Sequence, residues 1–310
     1  MKFAVRQTRS HLMEVFAKHG FNPRGDLGQN FLIDINIIES IAQSAEITPL
    51  DVVLEVGSGT GGMTTFLTLD AAHVVSVECD SNMFGLASEQ TEGIENLTLI
   101  HADALKSKNT LNPQVIEEVQ KHLAVDPQRR LKLVANLPYS VATPIMSNLM
   151  ATELPWEMMV CTIQLELADR MVASKDRSNY GALSIWMQSQ SRLKIIRRLR
   201  PEVFWPRPGV ESAVIKVIRD RERATAIHDR AFFHEFVRMI FTQRRKLLRP
   251  VIAGLYEDKL TKPDVDAVLL AEGLQDGKRA EQLDVPQLVS LSNRVRDAIV
   301  RKDEGGRSVN

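Results

Sequence analysis

This chain predicts an open α/β sheet followed by a smaller all-helical domain, on three observations. Apolar runs of strand length alternate with helical stretches from Asp51 to Ile163, as in consecutive strand–helix units of a parallel sheet. A glycine string, Gly57-Ser58-Gly59-Thr60-Gly61-Gly62, lies between the first such run and its helix, where glycine lets backbone approach a ligand closely. Beyond about Ile227 the apolar residues recur only at helical spacing.

In chain order, Phe31, Leu32, Ile33, Ile37, Ile38 and Ile41 read as one helix over residues 31–47. Strands follow at 51–56, 73–78 and 97–100, separated by helices from about Met63 and from Met83. The polar stretch 106–130 holds a helix near Val115–Leu123, and Leu131–Ala135 is a buried strand running into Asn136. Met158–Ile163 reads as a fifth strand, followed by helices at 165–173 and after Gly181. Residues 192–199 and 213–218 read as late strands flanking the Pro-rich segment Phe204–Gly209, and 219–223 as a charged linker. Helical faces then recur at Phe232/Phe233/Phe236/Val237/Ile240, Val265/Val268/Leu269 and Leu288/Leu291/Val295/Ile299. The expected organisation is an N-terminal helical extension (1–25), the sheet domain (26–222), a helical domain (223–300) and a disordered tail (301–310) containing Gly305-Gly306.

A hydrophobic fraction of 44% over 310 residues supports a sizeable core. No apolar run approaches the roughly 20 residues a membrane span needs. Cys79 and Cys161 stand far apart and form no disulfide framework, which favours a reducing, cytoplasmic setting. The seven His and two Cys show no metal-ligand spacing, so no metal site is expected. The basic N-terminus has something of a transit peptide, but Leu12, Val15, Phe16 and the Gly20 stop favour an amphipathic helix. The net charge is zero, yet Asp169–Arg249 carries 19 Lys or Arg against 8 Asp or Glu, leaving the remainder acidic by eleven. That asymmetry points to a polyanion partner.

Asn136-Leu137-Pro138-Tyr139 carries the most chemistry. At the carboxyl end of a strand it lies where open sheets place ligands. The Asn side-chain oxygen and a nearby backbone carbonyl can accept both N–H groups of an exocyclic amine. Pro138 removes a competing donor, and the Tyr139 ring offers a stacking face. Glu78 ends the next strand about 20 residues past the glycine string, where a carboxylate accepts ribose hydroxyls. Glu55 precedes the string and Asp103 ends the third strand, placed to bond an adenine amino group. The string alone also fits a dehydrogenase. Three carboxylates around one crevice, however, repel a dinucleotide's phosphates and suit S-adenosylmethionine, with its sulfonium and ammonium.

Taken together, several motifs occur in a recognisable order. They are Leu27-Gly28-Gln29-Asn30-Phe31-Leu32, Glu55-Val56-Gly57-Ser58-Gly59, Glu78, Asp103, Asn136-Leu137-Pro138-Tyr139 and Tyr180-Gly181. Phe204-x-Pro-x-Pro-x-Val210-Glu211-Ser212-Ala213-Val214, Gln243-Arg244-Arg245-Lys246 and Arg279-Ala280-Glu281-Gln282-Leu283 complete the set. Over roughly residues 8–290 the chain resembles the small-subunit ribosomal RNA adenine N6-dimethyltransferases. The resemblance implies a Rossmann-like, S-adenosylmethionine-dependent methyltransferase domain and a helical RNA-binding domain. It implies methylation at N6 of two adjacent adenosines in a hairpin loop near the 3′ end of 16S RNA, within a pre-30S particle, by a monomer. Asn30, Leu32, Gly57, Gly59, Glu78, Asp103 and Asn136 match cofactor-contacting positions. Asn136, Leu137, Pro138 and Tyr139 match positions around the target amine, and Phe204 matches the aromatic against the flipped base. Arg244, Arg245 and Lys246, read as lying on the helix that starts near Phe232, are the expected phosphate contacts. Four positions depart from the family pattern: Gly25 and Asp26 replace a basic pair, Ser140 a usual Asn, and Ser58 a common Pro. The rival readings are a resistance-type large-subunit RNA methyltransferase and a non-catalytic RNA-binding relative.

Overall fold

The computed structural model describes residues 7–275 and 277–307. They form two compact units. The first runs to Ala168 and includes Lys194–Arg219; the second comprises Asp169–Leu193 and everything from Asp220. The expected boundary at 222 lies close to the last crossing, but the second unit also takes 169–193.

The first unit opens with helix α1 (Arg9–His19), whose first turn is capped by the Thr8 hydroxyl. The helix expected over 31–47 divides in two. Phe31–Leu32 is a short strand, β1, and helix α2 covers only Ile35–Ser44, started by the Asp34 carboxylate accepting from Asn36 N. Asp at an N-cap sets a helix start that apolar spacing alone does not reveal. Strand β2 (Asp51–Val56), helix α3 (Gly62–Asp70), strand β3 (His73–Glu78), helix α4 (Ser81–Gln90) and strand β4 (Leu97–His101) follow. The polar stretch after them contains a small hairpin, β5 (Leu105–Ser107) with β6 (Thr110–Leu111), before helix α5 (Pro113–Leu123). Next come β7 (Arg130–Asn136), α6 (Ala142–Ala151), β8 (Trp156–Gln164), α7 (Leu165–Met171), α8 (Ala182–Gln188), β9 (Ser191–Leu199), β10 (Phe204–Trp205) and β11 (Ser212–Arg219).

Seven strands make one sheet in the order β4-β3-β2-β7-β8-β11-β9. Strands β4, β3, β2, β7 and β8 run parallel, and β11 returns antiparallel to β8. Every residue of β2 and β3 is buried, which explains why they read as unbroken apolar runs. The chain winds outward from β2 through β3 to β4, then restarts on the other side of β2 with β7. The crevice at that switch point lies past the carboxyl ends of β2 and β7, which brings the glycine string and Asn136 together.

The far end of the sheet holds a titratable cluster. His73 Nε2 and Thr98 Oγ1 are 2.9 Å apart, and the His73 ring stacks on His122 with centroids 3.4 Å apart. Burial, then the neighbouring His122, pushes His73 down to about 4; Glu118 opposes the shift, while Arg129 and Lys121 add to it. The unfolded chain binds this proton near 6.5, so between the two values it holds more protons than the folded chain. Stability therefore falls as pH drops from about 6.5 toward 4. Thermal unfolding across that window should show the loss, and His73→Gln should flatten it.

The second unit is built on helices α10 (Arg230–Thr242), α11 (Leu248–Leu255), α12 (Lys262–Ala271) and α13 (Val285–Arg307), with a short helix α9 (Arg221–Thr225) before them. Phe233, Phe236, Val237, Ile240, Leu288, Leu291 and Val295 form its buried faces. Two expectations are corrected here. The supposed linker 219–223 is largely helical, because the Asp220 side chain caps α9 at Arg223 N. The supposed tail is helical through Arg307: Arg301, Lys302 and Glu304 are good helix formers, and Lys302 pairs with Asp264. Residues 308–310 lie outside the described set. No helix of the described residues is long and apolar enough to cross a membrane.

Candidate active site

Two adjoining lobes of one cleft open at the switch point. The first is lined by Gly28, Gln29, Asn30, Glu78, Met83 and Asn136–Tyr139, the second by Gln7, Leu32, Glu55, Ser58, Thr60 and Met63; both include Phe31, Gly57, Gly59 and Asn136. Counting the open space at their mouths, they span about 500 and 410 Å³. On the same measure a roomier cavity of about 1640 Å³ lies in the second unit. Its polar groups are committed to one another, Arg192 to Asp220 and Tyr180 to the Leu283 carbonyl, so the convergent free chemistry belongs to the smaller cleft.

The glycine string can turn only as glycine. Gly57 and Gly59 have φ of 81° and 54°. A Cβ would stand 3.3 Å from Pro138 Cδ at the first and 3.1 Å from Phe31 Cε1 at the second. Glu78 is 6% exposed. One of its oxygens accepts Gly59 N–H at 2.9 Å and the other Asp80 N–H at 3.0 Å, so the carboxylate pins the string while keeping lone pairs for a ligand. Burial raises its pKa. Glu55, 1% exposed, takes hydroxyls of Thr64 and Ser76 at 2.6 Å, both on Oε2. Desolvation pushes it up to about 7.

Asn136 sits on the last residue of β7. Its Nδ2 donates to the Asn30 carbonyl at 2.9 Å, which leaves Oδ1 as a fixed acceptor. Asn30 is itself held by its Nδ2 on the Gly28 carbonyl at 3.1 Å. Leu137 is buried, and its N–H is tied to the Thr162 carbonyl at 3.2 Å. The Pro138 carbonyl accepts Val141 N–H at 3.1 Å and retains a second lone pair. The Tyr139 hydroxyl lies 2.6 Å from Ser212 Oγ, and burial raises its pKa.

Five expected site residues are placed differently. Phe204 is 3% exposed and packs in the core with Leu32 and Ile38. In the β1–β10 pair it opposes Leu32, while its neighbour Trp205 joins Phe16 and Phe31. Buried behind Leu32, Phe204 lines neither lobe of the cleft. Asp103 is exposed and outside the two lobes, with Oδ1 accepting Leu105 N–H at 2.8 Å. The basic triplet follows the end of α10 at Thr242 instead of lying on that helix. There Arg244 is committed to the Ser178 and Tyr180 carbonyls at 3.1 and 3.0 Å and to Glu281 at 3.6 Å. Arg245 and Lys246 are exposed.

Neither Gln7 nor Ser212 stands out as a site residue from the sequence alone. Gln7 Nε2 donates to the Thr60 carbonyl at 2.9 Å, and the Thr60 hydroxyl donates back to Gln7 Oε1. Gln7 lies directly over Gly62, where a Cβ would stand 2.7 Å from that oxygen and push the Gln7 side chain aside. Ser212 lies within a motif, but its pairing with Tyr139 bridges 73 residues. Ser212→Ala and Tyr139→Phe should each lower turnover several-fold. Because both break one contact, the double variant should lose no more than the worse single one; additive losses in a steady-state comparison would reject the coupling.

The chain matches the family described as ribosomal RNA adenine dimethylase over residues 20–297. It belongs to that family. Relatives named ribosomal RNA small subunit methyltransferase A are similar along nearly their whole length. The protein from Geobacillus kaustophilus is 35% identical over 287 residues, 92% of this chain and 95% of its own. That from Listeria monocytogenes serotype 4a is 36% identical over 296 residues, 95% of this chain and 98% of its own. A dimethyladenosine transferase from Plasmodium falciparum shares the fold with a TM-score of 0.72 at 23% identity, covering 86% of this chain and 97% of that one. The 23S rRNA methyltransferase ErmE aligns with a TM-score of 0.60 at 23% identity, covering 86% of this chain and all of that one. As a member of the family the chain is a Rossmann-like rRNA adenine dimethyltransferase whose methyl donor is S-adenosylmethionine. The cleft fits that donor. The string admits backbone contact where side chains would clash, and Glu78 keeps acceptor capacity beside it.

Proposed function

We propose that this enzyme methylates N6 of two adjacent adenosines in a hairpin loop near the 3′ end of 16S RNA, acting as a monomer on a pre-30S particle. The observation that carries the reading is the Asn136–Asn30 bond, which leaves Asn136 Oδ1 as a fixed acceptor at the cleft. The adenine amine is a poor nucleophile because its lone pair is delocalised into the ring. Asn136 Oδ1 and the Pro138 carbonyl would hold its two hydrogens and favour a tetrahedral nitrogen. The bound donor supplies a sulfonium methyl with a good leaving group, so the protein's task is mainly positioning. Tyr139, steadied by Ser212, would stack on the extruded base and offset an unstacking cost of a few kcal/mol. Asn30, Leu32, Gly57, Gly59 and Glu78 would hold the cofactor, with Asp103 at most at its outer edge. Incubation with labelled S-adenosylmethionine and, in parallel, isolated small and large subunits, followed by mapping, tests the reading; label elsewhere in small-subunit RNA, or in large-subunit RNA, defeats it.

The second unit is proposed to dock RNA, with Arg245 and Lys246 as phosphate contacts. Neutralising those two should weaken binding to a small-subunit RNA fragment and flatten its log–log salt dependence by about 0.9 per lost contact. Arg244→Ala should instead cost about 1–3 kcal/mol of stability, because two carbonyls lose their donor. Salt titrations and thermal melts separate the two effects.

A further inference from the structure

Ser58 stands where the resembled family commonly has Pro, and its hydroxyl has no counterpart on a proline. Its Oγ is buried and has no hydrogen-bond partner among the described residues, on a residue only 6% exposed. Leaving a buried hydroxyl unpaired is costly, and the cost is easiest to understand where a ligand completes the bond. Ser58 lines the second lobe of the cleft, with Gln7, Glu55, Thr60 and Asn136. Every polar donor beside it is engaged, leaving only acceptors such as Asn136 Oδ1 open. Gln7 and Thr60 bond each other, Asn136 Nδ2 is given to Asn30, and Glu55 Oε2 takes two hydroxyls. The Ser58 carbonyl is also occupied, by Gly61 N–H at 2.9 Å, so the side chain alone is unspent.

The placement of Glu78 decides which part of the cofactor this lobe meets. Glu78 lines the first lobe only, which assigns that lobe to the ribose. On the other side of Gly57 and Gly59, the second lobe falls to the amino-acid end, which carries an ammonium and a carboxylate. Glu55, an acid, suits the ammonium. A hydroxyl donor suits the carboxylate, and a hydrogen bond to a charged group is stronger than one between neutral groups.

Resting on the cofactor reading above, we infer that Ser58 Oγ donates a hydrogen bond to the α-carboxylate of the bound cofactor and so selects ligands that carry an amino-acid end. The variant Ser58→Ala separates this role from a structural one, because the two effects have opposite signs. Removing an orphaned hydroxyl should leave the melting temperature of the ligand-free protein unchanged or raise it. The same change should weaken S-adenosylmethionine and S-adenosylhomocysteine by about tenfold or more. Binding of 5′-methylthioadenosine, which keeps the nucleoside and lacks the amino-acid end, should not change. Calorimetric titration of the three ligands, with melting of the free protein, reads all of these. The inference is overturned if S-adenosylmethionine affinity stays within twofold, if 5′-methylthioadenosine weakens in parallel, or if the free protein melts lower in proportion to the lost affinity. Glu78→Gln serves as the parallel control, expected to weaken all three ligands. Wild-type protein that binds none of them overturns the cofactor reading and this inference with it, an outcome distinct from a Ser58 variant that binds normally.

Discussion

Asn136→Ala is expected to lower methyl transfer to adenosine by about 10²–10³-fold, the usual cost of removing one preorganised hydrogen-bonding group from a reacting centre. The wild-type side chain is held from behind by the Asn30 carbonyl at 2.9 Å, so its oxygen needs no reorganisation when the amine arrives. Alanine removes an acceptor that matters most when the nitrogen becomes tetrahedral, so the loss should fall on kcat more than on RNA affinity. The residue ends a strand whose core positions Leu133, Val134 and Ala135 are fully buried, and the fold should survive. Single-turnover kinetics on isolated small subunits measures the effect; wild-type turnover would remove Asn136 from the reaction.

Loss of Glu78 has the second-largest expected effect, on the cofactor. Removing a charged acceptor costs roughly 1.5–3 kcal/mol of binding, about 10- to 150-fold. Here Glu78→Ala is a blunt variant, because the same carboxylate receives Gly59 and Asp80 N–H groups. Stripping it would free the glycine string as well as the ribose contact. Glu78→Gln is milder: it keeps most of the shape and one acceptor, although its amide NH2 must face one of the two backbone N–H donors. Calorimetry should show weakened S-adenosylmethionine with RNA binding retained; unchanged cofactor affinity in both variants would place the ribose elsewhere.

The central sheet was legible because its strands are buried on both faces. Val52–Leu54 and Val74–Val75 have no solvent side on which to show a polar residue, so they stand out as unbroken runs. Asn136–Tyr139 was legible for a related reason, being polar chemistry placed at the end of such a run. The misreadings share a different origin. Phe31–Leu32 and Phe204–Trp205 form strands of two residues each, paired across more than half the chain. Two residues carry no periodicity, and the pairing that turns Phe204 inward is invisible locally. The basic triplet was placed on a helix because the apolar spacing of α10 runs up to Ile240 and nothing nearby signals its end at Thr242. The tail was read from Gly305-Gly306, whereas the charged residues before them sustain the helix. Gln7 could not be found at all, since its partner is 53 residues away.

Gln7 also ties the cofactor cleft to the segment that leads into α1. Its side chain both donates to and accepts from Thr60, and it covers Gly62. Losing the Gln7 side chain would break those bonds and leave the Thr60 carbonyl without its donor. Release of Gln7 and loosening of the glycine string are therefore one opening event, not two. A cofactor that binds only the closed string would suppress that event by mass action. A truncation or a bulky fusion placed just ahead of Thr8 would act as a cleft mutation while leaving every catalytic side chain intact.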